Sequence, residues 1–357
     1  MVVDKPAGIT SHDVVARCRR LFGQRRVGHG GTLDPDATGV LLVGLGQATR
    51  LLRFLSELPK SYVGEIVLGT ATSTLDASGE VVGEWDMAAV TPELAARVAA
   101  ERFTGAIEQV PPMVSALKVG GRRLHELARE GVEVERAPRP VTVYRFDVAP
   151  GPAPGALSAH VTCSAGTYVR SLAADLGEAL GGGAHLRALR RTAVGPFGEA
   201  EAVPLDRLTR ADVRPPVEAL RGRPVVEVEG DDLLAAVGHG KVLERSVLGI
   251  PARASGDEPG WASGEAGEAG TGDRDVAGGG PGHGDGTGAG GRDGGPPGGA
   301  SRAGEDRAGR GGARGRAPEG PWAVVGPDGR LLAVYEAFTA TTVKPAVVFP
   351  SSRPGSF

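Results

Sequence analysis

Apolar residues in this chain come in short bursts, some alternating with polar positions and some continuous, and glycine or proline closes most of them. Val2 onward reads as a short strand that ends in the turn Pro6-Ala7-Gly8, after which Ser11 is placed to cap a helix running to about Arg20. Val40 to Val43 is a continuous apolar run, as in a buried strand or helix segment. Lys60 to Leu68 alternates with the period of a strand, and Gly69 to Val82 folds back as a hairpin turning at Asp76-Ala77-Ser78-Gly79. Thr91-Pro92-Glu93, followed by Leu94, Val98 and Phe103, predicts a capped amphipathic helix covering one face of a sheet. Ala156 to Ser164 alternates again and leads into a helix that ends near Leu180.

Beyond Pro224 the character changes. Short apolar runs at Val225 to Val228, Trp322 to Val325, Leu331 to Tyr335 and Ala346 to Phe349 predict a small β-rich domain. A tract from about Ala252 to Glu319, mostly Gly, Ala, Pro, Asp, Glu and Arg, interrupts it. That tract holds too few apolar side chains to offset the entropy of ordering it, and it reads as a disordered surface loop. The Arg-Gly pairs at Arg310, Arg314 and Arg316 could touch RNA loosely, but an inert insertion is the preferred reading. The expected division is 1–222 for a large domain and 223–350 for the small one, with the insertion at about 252–319.

A chain of 357 residues readily builds one large core and one small one. The net charge of −3 does not mark a nucleic-acid binder. The tract carries 11 acidic side chains against 8 arginines, however, so the remainder is neutral and its arginines are clustered. One cluster is Arg17, Arg19, Arg20, Arg25 and Arg26; another is Arg187, Arg190 and Arg191. Such clusters suit a phosphate backbone or a solvated helix face equally well. Cys18 and Cys163 stand far apart, outside any metal-ligand spacing, which points to reduced thiols in a cytoplasmic protein with no metal site. No apolar stretch has the length of a membrane span, so no membrane association is expected. Met1 leads directly into the first strand, from which a few preceding residues are expected.

The chemistry concentrates in Gly28 to Leu52. Gly28, Gly30 and Gly31 permit close backbone approach, and Pro35 forces Asp34 into an extended conformation. An Asp-Pro pair alone is an ordinary turn dipeptide. Here it also holds one carboxylate on a stiff loop beside a buried run. Thr32-Leu33-Asp34 recurs as Thr74-Leu75-Asp76, so two aspartates compete for a reactive role; Asp76 has the Asp-x-x-Gly context of a plain turn, which favours Asp34. Gly44-Leu45-Gly46-Gln47-Ala48-Thr49 suggests a dinucleotide-dependent oxidoreductase as an alternative. Thr49 replaces the third glycine of that fingerprint, and no acidic residue follows at the usual distance.

GHGGTLDPDATGVLLVGLGQATR resembles the central motif of the TruB-type tRNA pseudouridine synthases (bacterial tRNA pseudouridine-55 synthases), G-H-x-G-T/A-L-D-P-x-A-T-G-x-L-x-x-x-x-G-x-A-T. Gly30 departs from it where members often carry a side chain. Further words match: Lys5-Pro6 with Gly8 and Thr10-Ser11, Lys60-Ser61-Tyr62, Pro111 to Lys118, Gly166-Thr167-Tyr168-Val169-Arg170, and Gly181 to Thr192. His125 stands where many members have tyrosine and is given no role.

The resemblance implies an α+β pseudouridine-synthase fold, with a central mixed, largely antiparallel sheet flanked by helices and a PUA-like RNA-binding domain at the C-terminus. It implies an isomerase that turns uridine 55 out of the T-loop of tRNA and converts it to pseudouridine without a cofactor. Asp34 would be the nucleophile and Arg170 its partner, keeping it charged and aimed, while Tyr62 lies against the flipped base. A positive charge in the first turn of a helix opposes the helix dipole, which already suggests that Arg170 has another purpose. Tyr168 and His29 would contact the nucleotide and Leu189 would line the pocket. Lys5, Lys118, Arg190 and Arg191 are candidate RNA contacts. A monomer acting on the tRNA T-arm is expected, and a non-catalytic RNA-binding or RNA-folding protein on the same scaffold is the other alternative.

Overall fold

The computed structural model describes residues 1–252 and 320–350, apart from residues 116, 120, 125, 126, 128, 129 and 133 and the side chains of 118, 119 and 123. Residues 253–319 of the insertion predicted at about 252–319, and His125, therefore lie outside the described residues.

In chain order the first strands are β1 (Val2–Lys5), β2 (Val27–His29), β3 (Thr38–Leu45), β4 (Lys60–Leu68), β5 (Thr70–Thr72), β6 (Val81–Glu84) and β7 (Gly105–Gln109). After the short pair β8 (Lys118–Val119) and β9 (Arg122–Arg123) come β10 (Arg139–Pro150), β11 (Ala156–Cys163), β12 (Ala184–Val194), β13 (Phe197–Gly198) and β14 (Val203–Pro204). The helices of this part are α1 (Ser11–Phe22), α2 (Leu52–Ser56), α3 (Pro92–Arg102) and α4 (Val169–Ala179).

One mixed sheet dominates, ordered β14-β1-β3-β12-β4-β11-β10-β7, with β2 beside β3 and β13 beside β12. Only β1/β14 and β3/β12 pair in parallel, so the sheet is largely antiparallel as expected. Helices α3 and α4 cover one face, where Ala95, Ala99, Leu172 and Leu176 join Ile66, Ala159 and Leu186 in a single apolar cluster. Thr91 caps α3 and proline stands in its first turn, as the sequence predicts. At α1 the cap is Thr10 rather than Ser11: Thr10 and Asp13 form a reciprocal capping box. Ser11 is buried instead, because its hydroxyl is engaged by the loop that follows β2.

A second sheet, ordered β15-β17-β18-β19-β16, is built from β15 (Val225–Glu227), β16 (Leu243–Glu244), β17 (Trp322–Val325), β18 (Leu331–Ala337) and β19 (Thr342–Val348), with α5 (Asp231–Gly238) against it. This is the β-rich region predicted from the late apolar runs. The described residues of Met1–Ile250 and Glu319–Phe357 form one unit.

The segment from Gly46 to Ser56 joins the two sheets. Leu51 and Phe54 are buried with Leu220, Val325, Leu331 and Val334, each contributing roughly 2 kcal/mol by burial. Arg50 donates to the Val348 carbonyl at 2.6 Å, and Arg53 pairs with Glu336. The opposite side of the same segment presses on the motif loop. A Cβ on Gly28 would lie 2.9 Å from Leu52 and one on Gly30 3.3 Å from Leu55, so a side chain at either position must displace a leucine. The run Gly44 to Thr49 ends β3 and passes directly into a 3-10 turn (Gly46–Leu51). No βαβ unit forms there, so the geometry of the dinucleotide alternative is absent.

Candidate active site

Asp34 sits on the loop between β2 and β3, and that loop is held by side chains from elsewhere in the chain. Ser11 accepts from the Leu33 amide at 2.9 Å and donates back to the Leu33 carbonyl. Lys5 donates to the carbonyls of Pro6, Pro35 and Ala37 at 2.9, 2.7 and 2.7 Å. Arg191 donates to the carbonyls of Val40, Thr32 and Gly31 at 2.7, 3.3 and 3.1 Å. The loop backbone is thus fixed on both sides of Asp34 independently of the Asp34 carboxylate.

The Asp34 side chain keeps 40% exposure and meets Arg170 through two parallel bonds, Nε to Oδ2 at 2.9 Å and an Nη to Oδ1 at 3.0 Å. This fork geometry fixes direction as well as distance. Arg170 itself is 4% exposed and also donates to the carbonyls of Thr74 and Val114. It does not open α4 as a surface charge. Gln109, buried at the end of β7, clamps the start of that helix by donating to the Tyr168 carbonyl and accepting from the Tyr168 amide. Sequence reading missed Gln109, since nothing local to a strand end advertises a partner 59 residues away.

Asp76 takes part as well. Its Oδ1 accepts from Thr74, the Ser78 amide and the Ser78 hydroxyl, as a turn aspartate does. Its Oδ2 is left 3.5 Å from Arg170 Nε. The two Thr-Leu-Asp words therefore converge on one guanidinium.

Tyr62 lies on β4, packs against the main apolar cluster and stands directly across the strand pair from Arg191. Burial pushes its phenol up; the Arg191 charge opposes this and the Asp34 charge reinforces it. Leu189 packs on the same cluster, with its Cδ1 against Gly64 of β4. Tyr168 is half-buried at the head of α4. His29 ends β2 and packs edge-on against His12, with ring centroids 5.3 Å apart; burial, then His12 and Arg191, hold its pKa below the usual imidazole value. Among the described residues no group of three or more His, Cys, Asp and Glu side chains could hold a metal ion.

Two expected RNA contacts are corrected. Lys5 is fully buried and Arg191 is 1% exposed, so neither faces a solvent-borne polymer; both spend their donors on loop carbonyls. Arg190 does reach the surface, where it is held by Asp4 and Glu199. The side chain of Lys118 lies outside the described residues. The first arginine cluster, Arg17 to Arg26, is exposed throughout.

Burial lowers Lys5 from 10.5 to about 8, with Asp36 and Asp34 pulling the other way. The unfolded chain keeps that proton up to about pH 10.5 and the folded chain only to about pH 8, so unfolding takes up a proton in between. The Lys5 contribution to stability therefore rises with pH across this window. Urea melts at about pH 8 and about pH 10 should show wild type gaining stability relative to Lys5→Met. Parallel pH curves for the two proteins would refute this.

Comparison with known proteins fits this geometry. Residues 19–169 match the family model described as TruB family pseudouridylate synthase (N terminal domain), and 170–221 match the tRNA pseudouridylate synthase B C-terminal domain. A protein named tRNA pseudouridine synthase B from Rhodococcus jostii is 56% identical over 213 residues, covering 58% of this chain and 69% of that protein. One of the same name from Arthrobacter is 48% identical over 266 residues, covering 72% and 87%. Among solved structures, a chain of a Cbf5-Nop10-Gar1 complex superposes with a TM-score of 0.61 at 25% identity, covering 98% of this chain and 84% of the other.

Proposed function

The chain belongs to the TruB family of pseudouridine synthases, and from that premise we propose that it isomerises uridine 55 in the T-loop of tRNA to pseudouridine. Members of this family are isomerases acting on tRNA, and the α+β fold with its PUA-like second sheet is theirs. In the reaction the bond from N1 of uracil to the ribose breaks and a bond from C5 forms, a proton leaves C5, and N1 gains one. The target base lies stacked in a folded loop and must first be turned out, at a cost of a few kcal/mol.

The observation that supports this reading most is the two-bond pairing of a half-exposed Asp34 with a buried Arg170. Asp34 is the nucleophile, attacking either the anomeric carbon or the base. Arg170 orients it, Tyr62 stacks on the extruded uracil, Leu189 closes the apolar side, and His29 and Tyr168 contact the nucleotide. The protein acts as a monomer on the T-arm in the cytoplasm, with phosphate contacts selecting the folded RNA.

The test is release of tritium from tRNA labelled at C5 of uridine, with the modified position then mapped. Release of one label per tRNA, mapping to the T-loop, is the expected result. Tight tRNA binding without release would instead identify an RNA-binding protein on the same scaffold.

A further inference from the structure

Arg191 is buried and stands between the two halves of the site. On β12 it stands opposite Tyr62 of β4 in one direction and opposite Gly39 of β3 in the other. Gly39 has φ +101, and a Cβ there would lie 2.2 Å from the Arg191 carbonyl oxygen, so the strands meet this closely only because the position is glycine. The Arg191 guanidinium then reaches past β3 to the carbonyls of Gly31 and Thr32, on the approach to Asp34, and to Val40 just beyond it. No carboxylate pairs with it among the described residues, in contrast to Arg170. Such a burial is costly for a guanidinium, and three carbonyls offset it only if the loop keeps its shape.

We propose that Arg191 is a positioning residue that couples the Asp34 loop to the Tyr62 ring, so that nucleophile and stacking platform are set by one side chain. The inference rests on the roles given to Asp34 and Tyr62 above. It goes beyond a packing role, because cross-strand neighbours share a face of the sheet and the guanidinium charge acts on the Tyr62 hydroxyl. A loop released from Arg191 would still be tied by Lys5 and Ser11 and would still pair with Arg170, yet its first half would shift relative to Tyr62. A misplacement on the order of 1 Å costs about 100-fold in rate.

The test uses wild type, Asp34→Asn, Arg191→Met, Arg191→Lys, Tyr62→Phe and the Arg191→Met/Tyr62→Phe pair. Each is assayed well below its melting midpoint for single-turnover tritium release and, separately, for tRNA affinity. Arg191→Met should slow the chemical step about 100-fold while tRNA affinity stays within about threefold. In the Tyr62→Phe background the same change should cost about tenfold less, the signature of coupled residues. Arg191→Lys keeps the charge but lacks the fork, and should still be slowed about tenfold; it carries the test alone if Arg191→Met does not fold.

A rate near wild type, a loss confined to tRNA affinity, or full additivity with Tyr62→Phe would each overturn the proposal. Failure of wild type to release tritium would instead overturn the functional reading on which it stands. Turnover surviving in Asp34→Asn would remove Asp34 from its role, and with it the coupling proposed here.

Discussion

Asp34→Asn is expected to bind tRNA within about twofold of wild type and to lose pseudouridine formation by about four orders of magnitude, as nucleophile removals do elsewhere. The reason lies in how the loop is held. Its carbonyls are bonded by Lys5, Ser11 and Arg191, none of which touches the Asp34 carboxylate. An asparagine keeps the size and one acceptor oxygen, so the loop keeps its course while the charge is gone. Protein affinity for a nucleic acid generally rests on phosphate contacts spread over a surface rather than on one carboxylate in a pocket. Measured by tritium release and filter binding, surviving turnover would remove Asp34 from the nucleophile role. Loss of binding would show that the carboxylate is needed to shape the site.

Arg170→Met is expected to be the more damaging substitution for the fold. It removes a buried fork that meets Asp34, approaches Asp76 at 3.5 Å and serves the carbonyls of Thr74 and Val114. Two carboxylates would be left facing each other without a cation. Breaking a buried pair costs about 3–5 kcal/mol, but Asp34 and Asp76 keep 40% and 23% side-chain exposure, so water relieves part of it. A loss of about 2 kcal/mol by urea melt is expected, with turnover reduced more than about 100-fold at temperatures where the variant is folded. Arg170→Lys should recover stability before activity, since an ammonium supplies charge without the fork. Wild-type stability in Arg170→Met would mean that the pairing with Asp34 and Asp76 carries little energy.

How much of this could be read from the residues differs by element. Strands β4 and β11 followed directly from alternation, and α3 from its Thr-Pro start, because local pattern and burial agree there. β12 was harder. Leu186 to Arg191 spaces its leucines and arginines as a helix would, but the chain is extended between β3 and β4 and interrupted by bulges that break simple alternation. Between those bulges the ordinary alternation of a strand sends neighbouring arginines to opposite faces: Arg190 outward to Asp4, Arg191 inward to the loop. Long cationic side chains read as surface by composition, and only the arrival of carbonyls from residues 31 to 40 makes the interior acceptable to Arg191. Asp76 was legible as a turn and nothing more, since its Oδ1 completes that turn and only the fold shows what its Oδ2 faces. The meeting of Asp34 with Arg170, 136 residues apart, was legible through family words and not through any local rule.

The bridging segment from Gly46 to Ser56 constrains anyone who would shorten this protein. A version cut after residue 222 would strip the cover from Leu51 and Phe54 and present a fresh apolar stripe to solvent, immediately behind the strand that leaves the Asp34 loop. A minimal enzyme would therefore have to be redesigned at those two positions with polar side chains. Leu52 and Leu55, whose packing shapes the loop from behind, would have to stay untouched.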